Sequence, residues 1–147
     1  MNRRHTRKDY LRIVEKLLMV NPKIKLSSDF IVGFPGETNQ DFMATLSLIE
    51  EVDFVQAFSF KYSSRPGTPG ASMKTQIPEE VKSERLKQLQ ILLTSKQRKF
   101  NEACVGVVMP VLLDRPGRKF GQLAGRSPYM QAVHVVAPNT YLGERVY

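Results

Sequence analysis

The segment that decides the fold reads Ser28-Asp29-Phe30-Ile31-Val32-Gly33-Phe34-Pro35-Gly36-Glu37-Thr38. Its apolar part predicts a β-strand, and its two glycines predict a tight turn where the backbone approaches a ligand closely. Thr38 is expected to cap a following helix, with Asp41 as its capping-box partner. This strand–turn–helix unit is expected to leave amide groups free for an anionic or nucleoside-like ligand.

Further elements are predicted on both sides of this segment. Thr6 and Asp9 open a helix of apolar residues at helical spacing, and Asn21-Pro22 ends it. A second helix is expected at about Gln40–Glu51, and a second strand at Phe54–Tyr62. The order helix–strand–helix–strand predicts an α/β fold with a parallel sheet and right-handed crossovers.

Residues 24–32 alternate between two faces of the predicted strand. One face carries Ile24, Leu26, Phe30 and Val32, and the other carries Lys25, Ser27, Asp29 and Ile31. In a sheet covered by helices, the polar face must line a barrel lumen or a cleft, which makes Ser27 and Asp29 candidate ligand contacts. Two strands do not make a stable parallel sheet, so we expect more strands upstream of Met1 or from another chain.

The rest of the chain changes in character after a loop rich in Pro, Gly and Ser at residues 63–78. A long helix is expected from Pro78 to about Asn101, with inward residues Val81, Leu86, Leu89, Leu92, Leu93 and Phe100. Short β runs are then predicted at Val105–Leu113, Phe120–Ala124 and Ala132–Val136, with a break at 114–117. Their spacing predicts a small barrel or sandwich. The last residues read as the start of another strand, so we expect both ends of the chain to be incomplete.

Length and composition narrow the possibilities. The 147 residues suffice for one ordinary domain or two small ones, and a hydrophobic content of 41% is enough for a globular core. No stretch has the roughly 20 apolar residues of a membrane span, and no signal core follows the basic N-terminus. Cys104 is the only cysteine, so no internal disulfide or thiolate cluster is expected. These features favour the cytoplasm.

The net charge of +8 is unevenly distributed. Residues 1–25 carry eight basic and two acidic side chains, whereas residues 26–60 carry six acidic and no basic ones. Residues 61–99 return to a net +6, and residues 100–147 have a net +2. A basic balance favours a polyanionic partner such as nucleic acid, and solvated helix faces are the alternative.

Four segments in this order resemble the radical SAM methylthiotransferases, and most closely their MiaB type, the tRNA-2-methylthio-N6-dimethylallyladenosine synthases. The segments are Met1-Asn2-Arg3-Arg4-His5-Thr6-Arg7, Leu26–Thr38, Phe58-Ser59-Phe60-Lys61-Tyr62-Ser63-Ser64-Arg65-Pro66-Gly67-Thr68-Pro69 and Gly125-Arg126-Ser127-Pro128-Tyr129. The resemblance implies the C-terminal part of a radical SAM partial (β/α) barrel at 1–78 and a connecting amphipathic helix at 79–102. An incomplete, OB-like TRAM β-barrel that binds RNA is implied at 103–147.

The resemblance also implies an activity. The family adds a methylthio group to an isopentenylated adenosine next to the anticodon of tRNA, using S-adenosyl-L-methionine (SAM) and 4Fe–4S clusters. The full-length proteins are expected to be monomers that need a reductant and a sulfur donor. The CxxxCxxC cluster motif is absent, so this chain alone is expected to be inactive, and DNA upstream of Met1 is expected to encode that motif.

The resemblance assigns candidate residues to two ligands. SAM is expected to contact Arg3, Ser27, Asp29, Gly33, Phe34, Pro35 and Gly36. RNA is expected to contact Lys61, Tyr62, Arg65, Arg115, Arg118, Lys119, Phe120, Arg126 and Tyr129, through basic groups and stacking rings. Each has a structural alternative, such as turn geometry or a solvated loop. His134 is expected to be a packed strand residue, and no catalytic or metal-binding residue is predicted.

Two other functions remain open at this point. The chain is alternatively a non-catalytic basic RNA-binding module, in which the barrel remnant is only a scaffold. A third hypothesis is a methylthiotransferase for threonylcarbamoyl-adenosine or for an aspartate of a ribosomal protein.

Overall fold

The computed structural model describes residues 3–147, so the predictions for Met1 and Asn2 lie outside the described residues. The chain is a mixed α/β protein that divides into two compact units, residues 1–100 and 101–147. No helix in the described part has the length and apolar character to cross a bilayer.

The first unit begins with α1 (Arg7–Val20), which Thr6 and Asp9 open as predicted, through a capping box. The Thr6 hydroxyl accepts from the Asp9 amide, and the Asp9 carboxylate accepts from the Thr6 amide at 2.9 Å. Backbone donors at the helix start are thereby satisfied. The helix ends at Val20 and is capped by Asn21, where the predicted Asn-Pro stop lies.

A two-stranded parallel sheet follows, built from β1 (Leu26–Val32) and β2 (Phe54–Lys61), with α2 (Asn39–Glu51) as the crossover between them. Strand β1 alternates as predicted, with Phe30 and Val32 as its buried residues. These two side chains lie on the sheet face that packs against the helices. The core cluster consists of Val14, Phe30, Val32, Phe42, Ile49, Val52, Phe54 and Leu89. The predicted parallel sheet is therefore confirmed, with two strands in the described residues.

Helix α3 (Pro69–Ser72) is a single turn, capped by Thr68, inside the segment that the sequence predicts to be loop. Helix α4 (Glu79–Ala103) follows, close to its predicted bounds. Leu89 is fully buried in the core of the first unit, whereas Val81, predicted to point inward, is 36% exposed.

The second unit is a four-stranded antiparallel sheet, curled like an open half-barrel, in the order β5-β4-β3-β6. Its strands are β3 (Val111–Pro116), β4 (Gln122–Arg126), β5 (Ala132–Val136) and β6 (Arg145–Val146), with a 3-10 turn at Asn139–Tyr141. Leu113 and Leu123 are its most buried side chains.

The prediction of the first β run, at Val105–Leu113, was wrong at both ends. Residues 105–110 form no strand, and Val105 and Val108 are about four-fifths exposed. The strand instead extends through the predicted break to Pro116, because residues 111–116 have partners in β4 and β6. Valine favours strands, yet a strand forms only where a neighbour satisfies its backbone groups.

Candidate cofactor and RNA sites

The predicted ligand face of β1 is the sheet face that the described helices leave exposed. Ser27 and Asp29 are exposed there, in register with Gln56 and Phe58 of β2. Apolar side chains share this open face, with Phe58 55%, Phe60 51% and Ile31 38% exposed. The described residues do not enclose a lumen, so Ser27 and Asp29 lie on an open surface.

Three amides of the turn after β1 that were expected to be free are hydrogen-bonded within the protein. The Gly33 amide donates to both carboxylate oxygens of Glu37 at 3.0 Å, and the Gly36 amide donates to the Thr75 carbonyl at 2.8 Å. The Glu37 amide donates to the Phe34 carbonyl at 2.9 Å. A ligand would have to displace these bonds to use the same amides.

Glycine is required at position 33 for two structural reasons. Its φ of +72° lies in the left-handed region, and an added Cβ would overlap the Cγ of Lys82 in α4. Pro35 is buried, Phe34 is half-buried, and Gly36 also has a positive φ, of +85°. Packing and turn geometry therefore account for Gly33 without a ligand.

Arg85 is the residue at this turn that the sequence analysis missed. It is 6% exposed, and its guanidinium donates to the Glu37 carboxylate at 2.7 Å, the Glu37 carbonyl at 3.1 Å and the Asn39 side chain at 2.7 Å. The guanidinium also lies 5.6 Å from the centre of the Phe42 ring. Arg85 lies four and seven residues before Leu89 and Leu92, which places it on the inward-facing side of α4. This spacing could have identified Arg85 from the sequence.

The three RNA candidates at the end of β2 and in the following loop have different surroundings. Lys61 pairs with Glu79, and its hydrogen bond is the main cause of a lowered pKa of the Glu79 carboxyl. The Tyr62 ring packs edge-on against Phe34 at 4.9 Å, and its buried hydroxyl has no hydrogen-bond partner among residues 3–147. Arg65 is exposed in the following loop, as is Arg3 ahead of α1.

The six RNA candidates of the second unit fall on two turns. Arg115, Arg118, Lys119 and Phe120 lie at or near the β3–β4 turn, beside a concavity of 520 Å³. Arg126 and Tyr129 belong to the β4–β5 turn, where the Arg126 guanidinium donates to the Met130 carbonyl at 2.8 Å. The cations at the first turn have fewer internal partners.

No three His, Cys, Asp or Glu side chains come together as a metal site in the part of the chain that the structure describes. The sequence matches no protein-family model.

Proposed function

We propose that this chain is the SAM-facing and RNA-facing part of a tRNA-modifying radical SAM methylthiotransferase that acts on isopentenylated adenosine next to the anticodon. The open face of the parallel sheet is the observation that carries the proposal. Polar Ser27 and Asp29 lie there beside exposed Ile31, Phe58 and Phe60, and β1 ends at the Gly-Phe-Pro-Gly turn. Ligands of parallel α/β proteins gather at this end of the strands.

The side chains on the open face fit the chemistry of SAM. The Asp29 carboxylate and the Ser27 hydroxyl are exposed acceptors for ribose hydroxyl groups, and the rings of Phe58 and Phe60 offer apolar surface to an adenine. When bound, SAM would supply the methyl group and the radical chemistry of the reaction. The role assigned to this chain is to bind and orient that molecule.

An iron–sulfur cluster does not fit the side chains of this chain. Such clusters are held by several thiolates, and Cys104 is the only cysteine among the 147 residues. The cluster ligands would have to come from polypeptide outside these residues.

The second unit supports the RNA-facing part of the proposal. Arg118, Lys119 and Phe120 are exposed together at one turn of a small curled sheet. Small β-barrels bind single strands by combining cationic grooves with aromatic rings on which bases stack. The resemblance to a TRAM domain implies the same use of this sheet.

SAM titration followed by NMR tests the enzymatic proposal. We expect SAM to shift the amide signals of Ser27, Asp29 and Phe58, and Asp29→Asn to weaken binding about tenfold, because a charged acceptor is lost. Asp53→Asn is the matched control, since Asp53 is an exposed carboxylate just before β2. Shifts confined to other residues, or equal effects of the two variants, would contradict the proposed SAM face.

A non-catalytic RNA-binding module is the second candidate function. The single cysteine and the basic turn of the second unit favour it, because neither requires radical chemistry. A chain that binds RNA and shows no SAM-dependent shifts on the open face would support this candidate instead.

A further inference from the structure

The concavity beside the β3–β4 turn is lined by basic and neutral groups only. Its residues are Arg115, Pro116, Gly117, Arg118, Lys119, Gln122, Ala124 and His134. No carboxylate belongs to this lining. The site is therefore positively charged and of a size that holds a phosphate group and part of its nucleotide.

The cations at this turn are largely available to a ligand. Neither Arg118 nor Lys119 forms an ion pair among residues 3–147, and Arg115 pairs at 2.8 Å with Asp114, an exposed side chain outside the lining. Backbone bonds brace the turn, since the Gly117 amide donates to the Gln122 carbonyl at 2.6 Å. The turn thus places its cations around the concavity without neutralising all of them.

His134 belongs to this basic lining, which corrects the prediction that it is packed. Strand β5 alternates so that Val133 and Val135 are half-buried while His134 is exposed. In the sheet register it lies opposite Ala124 of β4, whose small side chain leaves room in the concavity. Its side chain therefore faces the cations of the turn.

Phe120 stands at the tip of the same turn. It is 106% exposed, between Lys119 and Gly121, and the φ of Gly121 is +71°. A fully solvated aromatic ring next to cations has no packing role, and it matches the base-stacking platforms of proteins that bind single strands.

We infer that the concavity binds one phosphate of a single-stranded RNA, with His134 as one of its ligands, while Phe120 stacks on a neighbouring base. The inference rests on the RNA-facing part of the proposed function. A bound phosphate favours a positive charge on an imidazole that contacts it. A protonated imidazole adds positive charge to the site, so we expect affinity to rise as the pH falls through the range in which imidazoles titrate.

The test uses the two histidines of the chain, one in each unit. Fluorescence anisotropy gives the Kd of the full chain for a labelled single-stranded RNA of about ten nucleotides, at about pH 6 and about pH 8. We expect His134→Gln to weaken binding roughly twofold to fivefold at the lower pH only. It should also reduce the salt slope there by about 0.7. His5→Gln is the matched control and should retain the full pH dependence.

Phe120→Leu gives an independent readout, because it keeps an apolar side chain and removes the ring. We expect about tenfold weaker binding at both pH values. A His134→Gln protein with unchanged pH dependence, or a Phe120→Leu protein with unchanged affinity, would overturn the inference while leaving RNA binding intact. Failure of every protein to bind RNA at either pH would instead remove the RNA-facing part of the proposed function.

Discussion

Individual residues at the turn after β1 serve several contacts at once. Gly33 adopts a positive φ, donates its amide to Glu37 and leaves room for the stem of Lys82. A side chain at this position would meet steric strain in its own backbone and a clash with α4. The glycine therefore fixes both the turn and the distance of α4 from it.

Gly33→Ala tests this double constraint. We expect it to destabilise the first unit by more than the control Gly67→Ala. Gly67 also has a positive φ, of +78°, but no atom lies within 4 Å of the added Cβ. The control variant should cost about 1–2 kcal/mol from backbone strain alone. In a Lys82→Ala background, the excess cost of Gly33→Ala should shrink, as measured by urea unfolding. An equal cost in both backgrounds would contradict the predicted clash.

The surroundings of Asp41 affect the pKa of its carboxyl, which can be measured. Hydrogen bonds from the Thr38 side chain and then from its amide lower the pKa of the Asp41 carboxyl below its ordinary value of 3.8. A lowered folded-state pKa stabilises the protein above the unfolded-state pKa, and this stabilisation is lost as the pH falls through the folded-state value.

Thr38→Ala should therefore raise the pKa of Asp41 toward 3.8, as measured by NMR titration of its carboxyl carbon. The stability difference between wild type and this variant should become smaller in acid. Thr45→Ala is the matched control in the same helix, since the Thr45 hydroxyl bonds to the Asp41 carbonyl and not to its carboxylate. A pKa that is unchanged in Thr38→Ala would exclude the capping box as the cause.

At the scale of elements, a buried ion pair fastens α4 to the start of α2. The Arg85 and Glu37 side chains are 7% and 12% exposed, and Glu37 in turn accepts from the Gly33 amide. Each partner therefore satisfies a group that the fold has removed from water. Breaking such a pair is costly because it leaves a buried charge without compensation.

Arg85→Met should destabilise the first unit by about 3 kcal/mol, because it leaves the buried Glu37 carboxylate without its charged partner. Urea unfolding followed by circular dichroism measures this change. Arg12→Met, on an exposed position of α1, is the control and should change stability by about 0.5 kcal/mol or less. Equal destabilisation by the two variants would show that the ion pair contributes nothing specific.

Over the whole molecule, charge is segregated along the chain. The acidic residues 26–60 contain β1, α2 and all of β2 except Lys61, whereas the β3–β4 turn of the second unit presents cations beside Phe120. Polyanion binding depends on such local clusters more than on the net charge, because phosphates are neutralised where cations are concentrated.

The full chain should bind tRNA with an affinity that falls steeply as salt rises. Replacing Arg118 and Lys119 by Gln should reduce the slope of log affinity against log salt by about 1.4 if both contact single-stranded phosphates. Replacing the exposed Lys8 and Lys16 of α1 by Gln removes the same charge and should have a smaller effect. Filter binding across a salt series measures both slopes. Salt-insensitive binding would contradict the electrostatic basis of the proposal.

The sequence by itself determined the elements that depend on near neighbours. Capping boxes at Thr6 and Thr38 connect residues three positions apart, and the alternation of β1 separates its two faces. Such features can be predicted because hydrogen bonds and periodicity within one element depend only on residues that are close together in the sequence.

Tertiary structure decided what distant residues bring together. Arg85 bonds to Glu37 from 48 positions along the chain. It thereby holds the carboxylate that accepts from the Gly33 amide, a bond that the local sequence does not reveal. The start of β3 depends on β6, and the exposure of His134 depends on which face of the curled sheet is filled. Such contacts are selected by packing among elements far apart in the chain, so a local pattern does not contain them.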